Sequence, residues 1–258
     1  MNYSQLYDTH AHLDDEAFDA DRKEVIGKIK NSGVGLVNNI AADMKSSYAS
    51  VKLAEEYDFI YATVGVHPSE TGEMTEADIE KLRELARNKR VVAIGEIGLD
   101  YHYDDDVDPE TQKKWFRRQL DLAKKLGLPV VIHDRESKGQ CIEILKEKEI
   151  TNGVIHCYSG SAETAKELVK MGFHISFTGV VTFKNARRAI EALKVIPLDR
   201  IFVETDCPYM APEPFRGTRN DSSLVYRVAE KIAEVKGVTV GEVVKATTEN
   251  AVKFFGIE

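Results

Sequence analysis

The chain has 258 residues, 30% of them charged and 43% hydrophobic, with a formal net charge of −8 at pH 7. That length suits one α/β barrel with a large single core, and the acidic balance excludes a broad nucleic-acid-coating surface of clustered Lys and Arg. Three cysteines (Cys141, Cys157 and Cys207) are too few for a disulfide framework, no run reaches transmembrane length, and Met1 to Gln5 shows no basic or apolar targeting segment, so a soluble, cytoplasmic protein without membrane contact is expected.

Strand and helix signals alternate from end to end. Residues 4–7 lead into a first strand that ends in Asp8-Thr9-His10-Ala11-His12-Leu13. Residues 19–32 form a charged amphipathic segment and residues 34–40 an apolar run. Residues 46–57 are helical in pattern, and residues 59–64 are a strand ending in Gly65-Val66-His67-Pro68. Residues 75–88 are good helix formers with Thr75 as N-cap. Residues 91–94 are a strand ending in Gly95-Glu96-Ile97-Gly98. Residues 109–126 are a long helix that opens on Pro109 and stops at Gly127, with Trp115, Phe116, Leu120 and Ala123 as its core stripe. Then come a strand (129–133), a helix (138–148), a strand (153–156), a helix (162–171) ended by Gly172, a strand (173–177), a helix (185–195) and a strand (200–206). A Pro-rich loop over 207–214 and two or three helices complete the chain.

Apolar strands separated by helices predict a parallel sheet covered on its outer face, and eight such units in this length predict a single (β/α)8 TIM barrel, one domain over residues 1–258. An open doubly wound sheet is the alternative; it lacks support because no Gly-rich phosphate loop follows the first strand.

The ionisable residues fall at strand ends. His10 and His12 share a face by the period of two. His67 follows the third strand, Glu96 the fourth, His133 the fifth, His156 the sixth and Asp206 the eighth, so five of the seven histidines lie there. In a barrel those ends ring one mouth, where active sites sit; scattered surface histidines would fall in helices and loops instead. Four histidines and two carboxylates exceed what one ion takes from a protein. Two divalent cations are therefore expected, with Glu96 able to bridge them; the mixed ligands fit Zn, Mn or Fe and, less exclusively, Mg.

These stretches resemble the TatD family of metal-dependent deoxyribonucleases, within the amidohydrolase-like barrels. The residues that carry the resemblance are Asp8-Thr9-His10-Ala11-His12, Gly65-Val66-His67-Pro68, Gly95-Glu96-Ile97-Gly98-Leu99-Asp100-Tyr101, residues 129–135, residues 153–160, Glu204-Thr205-Asp206-Cys207-Pro208-Tyr209 and Thr248-Glu249-Asn250. The resemblance implies that His10, His12, Glu96 and Asp206 hold one ion and that Glu96, His133 and His156 hold the second. Glu96 stands where related barrels often carry a modified lysine. After Arg219-Asn220 the family usually continues with Glu-Pro, whereas this chain has Asp221-Ser222, so substrate positioning by that loop is not carried over. The activity expected is two-metal hydrolysis of phosphodiester bonds from an end of single-stranded DNA by a monomer, with Asp206 as general base. The alternatives are an amide, lactone or aminoacyl-ester hydrolase on the same metal site, and a metal-binding protein without turnover.

Other residues carry less specific expectations. His67 is expected to meet a phosphate or the leaving group, with a turn histidine bonded to backbone as the alternative. Arg135 shares the direction of His133 if the strand continues, and could grip a phosphate or form an ion pair. Arg216 and Arg219 are candidates for the substrate strand or for a solvated loop. Tyr158 could stack on a base or pack internally. Glu204 shares a face with Asp206 by period two, which predicts a ligand-orienting role. His102 and His174 are expected to be structural, and Cys157 and Cys207 to fill the layer between strands and helices.

Overall fold

The structure, a computed structural model, describes residues 5–102 and 107–257; Ser4, expected to open the first strand, lies outside them. In chain order the first elements are β1 (Leu6–Ala11), α1 (Arg22–Lys30), β2 (Val34–Asn39), α2 (Met44–Glu56), β3 (Ile60–Val64), α3 (Glu76–Leu85), β4 (Val91–Asp100) and α4 (Pro109–Leu126). There follow β5 (Val130–Arg135), α5 (Gln140–Glu147), β6 (Gly153–Ile155), α6 (Ala162–Lys170), β7 (His174–Phe177), α7 (Arg187–Val195), β8 (Ile201–Val203), α8 (Val225–Lys236) and α9 (Val240–Phe255). The strands follow one another in sequence order in one eight-stranded sheet, the expected (β/α)8 class. Chain contacts group into two compact units, residues 1–39 with 157–258, and residues 40–156. Among the described residues no helix is long and apolar enough to cross a membrane.

In the unit of residues 1–39 and 157–258, β1 pairs in parallel with β2 and β7 with β8, and Ala11 bridges to Cys207 beside β8. Every residue of β1 is buried. The α9 helix opens with a capping box between Thr239 and Glu242 and closes at Gly256, whose φ of 64° suits a residue without Cβ. Its buried face sets Phe255 5.9 Å from the Tyr7 ring and 6.0 Å from Phe202. The expected strand over 200–206 ends early, at Val203. Asp206 has φ 58°, and its N–H turns to the His10 carbonyl at 2.9 Å. The period-two argument for Glu204 and Asp206 therefore does not apply.

In the unit of residues 40–156, β3 to β6 pair in parallel in order. Asp108 caps α4 by accepting from the N–H groups of Glu110 and Thr111, and Gly127 ends it at φ 68°. The stripe Trp115, Phe116, Leu120 and Ala123 is buried as expected. The β4 strand extends beyond Glu96 to Asp100, and β5 reaches Arg135. This continuation gives Arg135 the direction of His133. The α5 helix begins two residues late because Lys138 and Gly139 have φ of 55° and 88°, outside helical space.

His174 stacks on Phe202 with centroids 4.6 Å apart, and Phe254 meets it edge-on at 5.0 Å, which makes it a packing residue. Burial among these rings, with Arg200 nearby, lowers its pKa from 6.5 to about 4. Between those values the unfolded chain binds the extra proton, so this group's contribution to stability is lost as pH falls from about 6.5 towards 4. His174→Phe keeps the stack and removes the titration. Urea unfolding at pH 7 and pH 4.5 should show a smaller loss of stability on acidification in the variant than in the parent; equal losses would assign the acid sensitivity elsewhere.

Candidate metal centre

The first ligand set lies in the unit of residues 1–39 and 157–258. His10 is inside β1 and His12 just beyond it, so both rings project to one side and their Nε2 atoms are 3.2 Å apart. Asp206 Oδ1 lies 3.6 Å from His10 Nε2 and 3.4 Å from His12 Nε2. Three donors bound tetrahedrally at about 2.1 Å would stand roughly 3.4 Å from one another, and the three observed separations bracket that spacing. Two imidazoles and one carboxylate are also the donor types that first-row divalent cations take, so the set fits a metal ion.

Buried polar side chains hold this triangle. The Asp8 carboxylate accepts from Thr205 N at 2.9 Å, Thr205 Oγ1 at 2.5 Å and His10 N at 3.3 Å. It ties the strand bearing His10 to the turn bearing Asp206. Burial pushes its pKa up to about 7 against the pull of these bonds. Beyond the ligands, Arg22 donates to the carbonyls of Leu13, Asp14 and Asp15, and Asn39 accepts from Leu13 N at 2.6 Å and donates to Asp14 at 2.7 Å. Glu204 accepts from Cys157 N at 2.6 Å and so fixes backbone next to His156 in sequence, a role reached without strand periodicity.

The second set lies in the unit of residues 40–156. Glu96 Oε1 is 2.7 Å from His133 Nδ1 and 2.5 Å from His156 Nε2, and those two nitrogens are 3.1 Å apart. The other face of His133 donates from Nε2 to Asp100 Oδ2 at 2.9 Å. Burial works to lower the His133 pKa, but the bonds to Asp100 and Glu96 outweigh it and the pKa is raised. Asp100, which motif reading leaves without a role, is the partner of His133 on the side away from Glu96. Its signal was spacing: Glu96, Gly98 and Asp100 are alternate residues of a strand that does not stop at Glu96. Gly98 permits this close pairing. Its φ is 152°, and a Cβ there would lie 1.9 Å from the His133 carbonyl oxygen.

Two buried glutamines of α4 brace the same unit. Gln112 accepts from Asp100 N at 2.9 Å and donates to its carbonyl at 2.8 Å. Seven residues on, Gln119 accepts from Val66 N at 2.8 Å and donates to its carbonyl at 3.0 Å, beside His67. His67 Nδ1 accepts from Ser69 N at 3.2 Å, which is the turn arrangement, yet its ring also lies edge-on to His133 at 4.3 Å. With Nδ1 accepting, Nε2 carries the proton. Burial first, then the His133 charge, lowers its pKa to about 3, so the ring is neutral and a hydrogen-bond donor at neutral pH.

The proposed substrate residues are placed less uniformly. Arg135 is half-exposed, with Nη1 4.0 Å from Asp100 Oδ2. Arg216 is exposed, with its guanidinium 4.4 Å from the Phe183 ring centroid. Arg219 forms a fork with Asp21 at 2.9 and 2.5 Å and sits over Phe18, so its charge is already engaged. Tyr158 is buried and its hydroxyl donates to the Ser161 carbonyl at 2.7 Å; this is the packing arrangement and presents no stacking face. Asp221 caps a 3₁₀ turn over Ser222–Leu224 and pairs with Lys28 at 2.6 Å, while the buried Ser222 hydroxyl lies 3.9 Å from Cys207 Sγ. The departure at 221–222 thus ties this loop to α1 through Lys28. His102 pairs with Glu136 at 2.7 Å. Cys207 is buried, whereas Cys157 is only partly so.

The family described as TatD related DNase matches residues 7–256. The uncharacterized metal-dependent hydrolase YabD of Bacillus subtilis (strain 168) is 47% identical over 254 residues, covering 98% of this chain and 99% of the relative. The uncharacterized metal-dependent hydrolase YcfH of Escherichia coli (strain K12) is 38% identical over 261 residues, covering 98% of this chain and 96% of the relative. Among solved structures, YJJV, a TatD homolog from Escherichia coli K12, superposes with a TM-score of 0.92 at 29% identity over 100% of both chains.

Removing Asp100 should loosen His133 without removing a donor of either set. Asp100→Ala is expected to weaken metal binding by about 10- to 100-fold with the fold retained, as read by metal titration of chelator-stripped protein. Unchanged affinity would show that Asp100 does not orient His133.

Proposed function

The chain belongs to the TatD family of metal-dependent hydrolases, and from that premise we propose that it hydrolyses phosphodiester bonds in DNA from an end of a single strand, using two divalent cations. The observation that carries the reading is the pair of imidazole–carboxylate sets, His10, His12 and Asp206 in one unit and Glu96, His133 and His156 in the other. Each set would hold one ion. Bound there, divalent cations supply Lewis acidity at the phosphoryl oxygens and lower the pKa of water, to about 7 in a zinc-like case.

The chain's own residues do the rest. The Asp206 carboxylate takes the proton of the attacking water. The neutral His67 Nε2–H donates a hydrogen bond to a phosphate oxygen or to the departing sugar oxygen. Arg135, directed with His133, neutralises a phosphate, and Arg216 is the second candidate cation. The proposal includes action as a monomer in the cytoplasm.

Asp206→Asn keeps an oxygen donor and removes the base. It should retain metal while turnover of an end-labelled oligonucleotide drops by about 10²- to 10⁴-fold. Glu96→Ala removes the carboxylate that meets both His133 and His156, and should lose both ions if Glu96 is shared as the resemblance implies. Wild-type turnover by Asp206→Asn across neutral pH would remove it from the base role.

The net charge of −8 leaves attraction of DNA to the cations and a few arginines. A footprint of roughly two to four phosphates gives a log–log salt slope of about −1.5 to −3 for single strands. One labelled strand, alone and annealed across a salt series, should be shortened stepwise when single and weakly when blunt duplex. Efficient cutting inside the duplex, a much steeper slope, or turnover of ester or amide substrates with none of DNA would replace this reading.

A further inference from the structure

Tyr209 is 54% exposed and Met210 beside it 42%. A large aromatic left in solvent is usually mobile, but this one is anchored at three points. Its N–H donates to the Asp206 carbonyl at 2.9 Å, its carbonyl accepts from Asn220 Nδ2 at 2.7 Å, and its hydroxyl donates to Asp15 Oδ2 at 2.8 Å. The loop behind it is clamped as well: a Cβ on Gly179 would lie 2.0 Å from the Met210 carbonyl oxygen. The ring stands edge-on to the ligand-type His12 at 6.4 Å. It also forms one wall of a cleft of about 690 Å³, whose rim carries Asp15, Glu16, Asp19 and Arg219.

The charge of that rim selects which part of a nucleotide can enter. Of the three carboxylates, Asp19 pairs with Arg22 at 2.5 Å and Asp15 accepts from Ala17 N and the Tyr209 hydroxyl, while Asp21 engages the Arg219 guanidinium in a fork, so the rim stays net acidic with its cations engaged. Such a rim repels phosphate. It tolerates a nucleobase, which offers an uncharged π-face and, on adenine, cytosine and guanine, amino groups that carboxylates accept. A rigid ring also loses little freedom on binding, so stacking there carries little ordering cost.

We propose that Tyr209 is the stacking platform for the nucleobase of the nucleotide held at His10, His12 and Asp206, and that the acidic rim keeps the phosphate backbone out of that cleft. The assignment rests on the nuclease reading and adds a specificity residue to it. Tyr209, and not the buried Tyr158, supplies the aromatic face.

The test uses the full chain with Mn²⁺ and two single-stranded oligonucleotides, one with adenine at both ends and one with abasic residues there. Wild type should favour the adenine-ended strand by about tenfold or more in kcat/KM. Tyr209→Ala should bring that preference close to one, mainly through KM. Tyr209→Phe should keep it, because the ring remains. Tyr209→Leu, which keeps apolar bulk without a π-face, should behave as Tyr209→Ala and covers the case in which the smaller side chain unsettles the loop. An undiminished preference in Tyr209→Leu overturns the platform while leaving the nuclease reading intact. No hydrolysis of either strand by wild type overturns that reading and this assignment with it.

Discussion

The buried Asp8 carboxylate is the interaction on which the first ligand set depends. Through three hydrogen bonds it joins His10, inside a strand, to Thr205, the residue before Asp206 and 195 positions further along the chain. A buried carboxylate is costly unless bonded, and charge-assisted bonds of this kind contribute about 1.5–3 kcal/mol each. The same bonds fix the spacing of the imidazoles and the Asp206 carboxylate.

Other ligand-bearing segments follow the same rule: side chains satisfy the backbone wherever a strand end or turn leaves it open. Gln112 and Gln119 do this for the segments of Asp100 and Val66, Asn220 for Thr205 and Tyr209, and Glu204 for Cys157. Each uses a buried amide or carboxylate where an apolar residue would pack as well but leave backbone groups unpaired. The centre is thereby held by parts of the chain that touch no reacting atom.

Much of this was legible in the residues. Helix boundaries with strong punctuation, such as Pro109 and Gly127 around α4, fall where the sequence puts them, because capping and left-handed closure are local. The clustering of His10, His12, Glu96, His133, His156 and Asp206 at strand ends was legible because a period of two and an α/β alternation leave few other placements. The long-range pairings were not. Nothing local in Gln112 or Gln119 distinguishes a backbone brace from a solvated helix face, and nothing near Arg219 names Asp21, 198 positions away. β8 ends short because Asp206 adopts positive φ, a conformation that a run of β-formers conceals. Asp100 was within reach, had the strand through Glu96 been carried four residues further.

The two glutamines of α4 have a consequence for how the protein fluctuates. They sit seven residues apart on one helix face, and each grips a different strand end, one at Val66 and one at Asp100. Opening either strand end alone would strip a buried amide of the two bonds it makes there, while lifting the helix would release both at once. The energetically cheapest excursion is therefore a joint one, in which α4 and the ends of β3 and β4 behave as a single cooperative unit of local unfolding. His67 and Asp100 are then tied to the same excursion, and the ordered state of one implies that of the other.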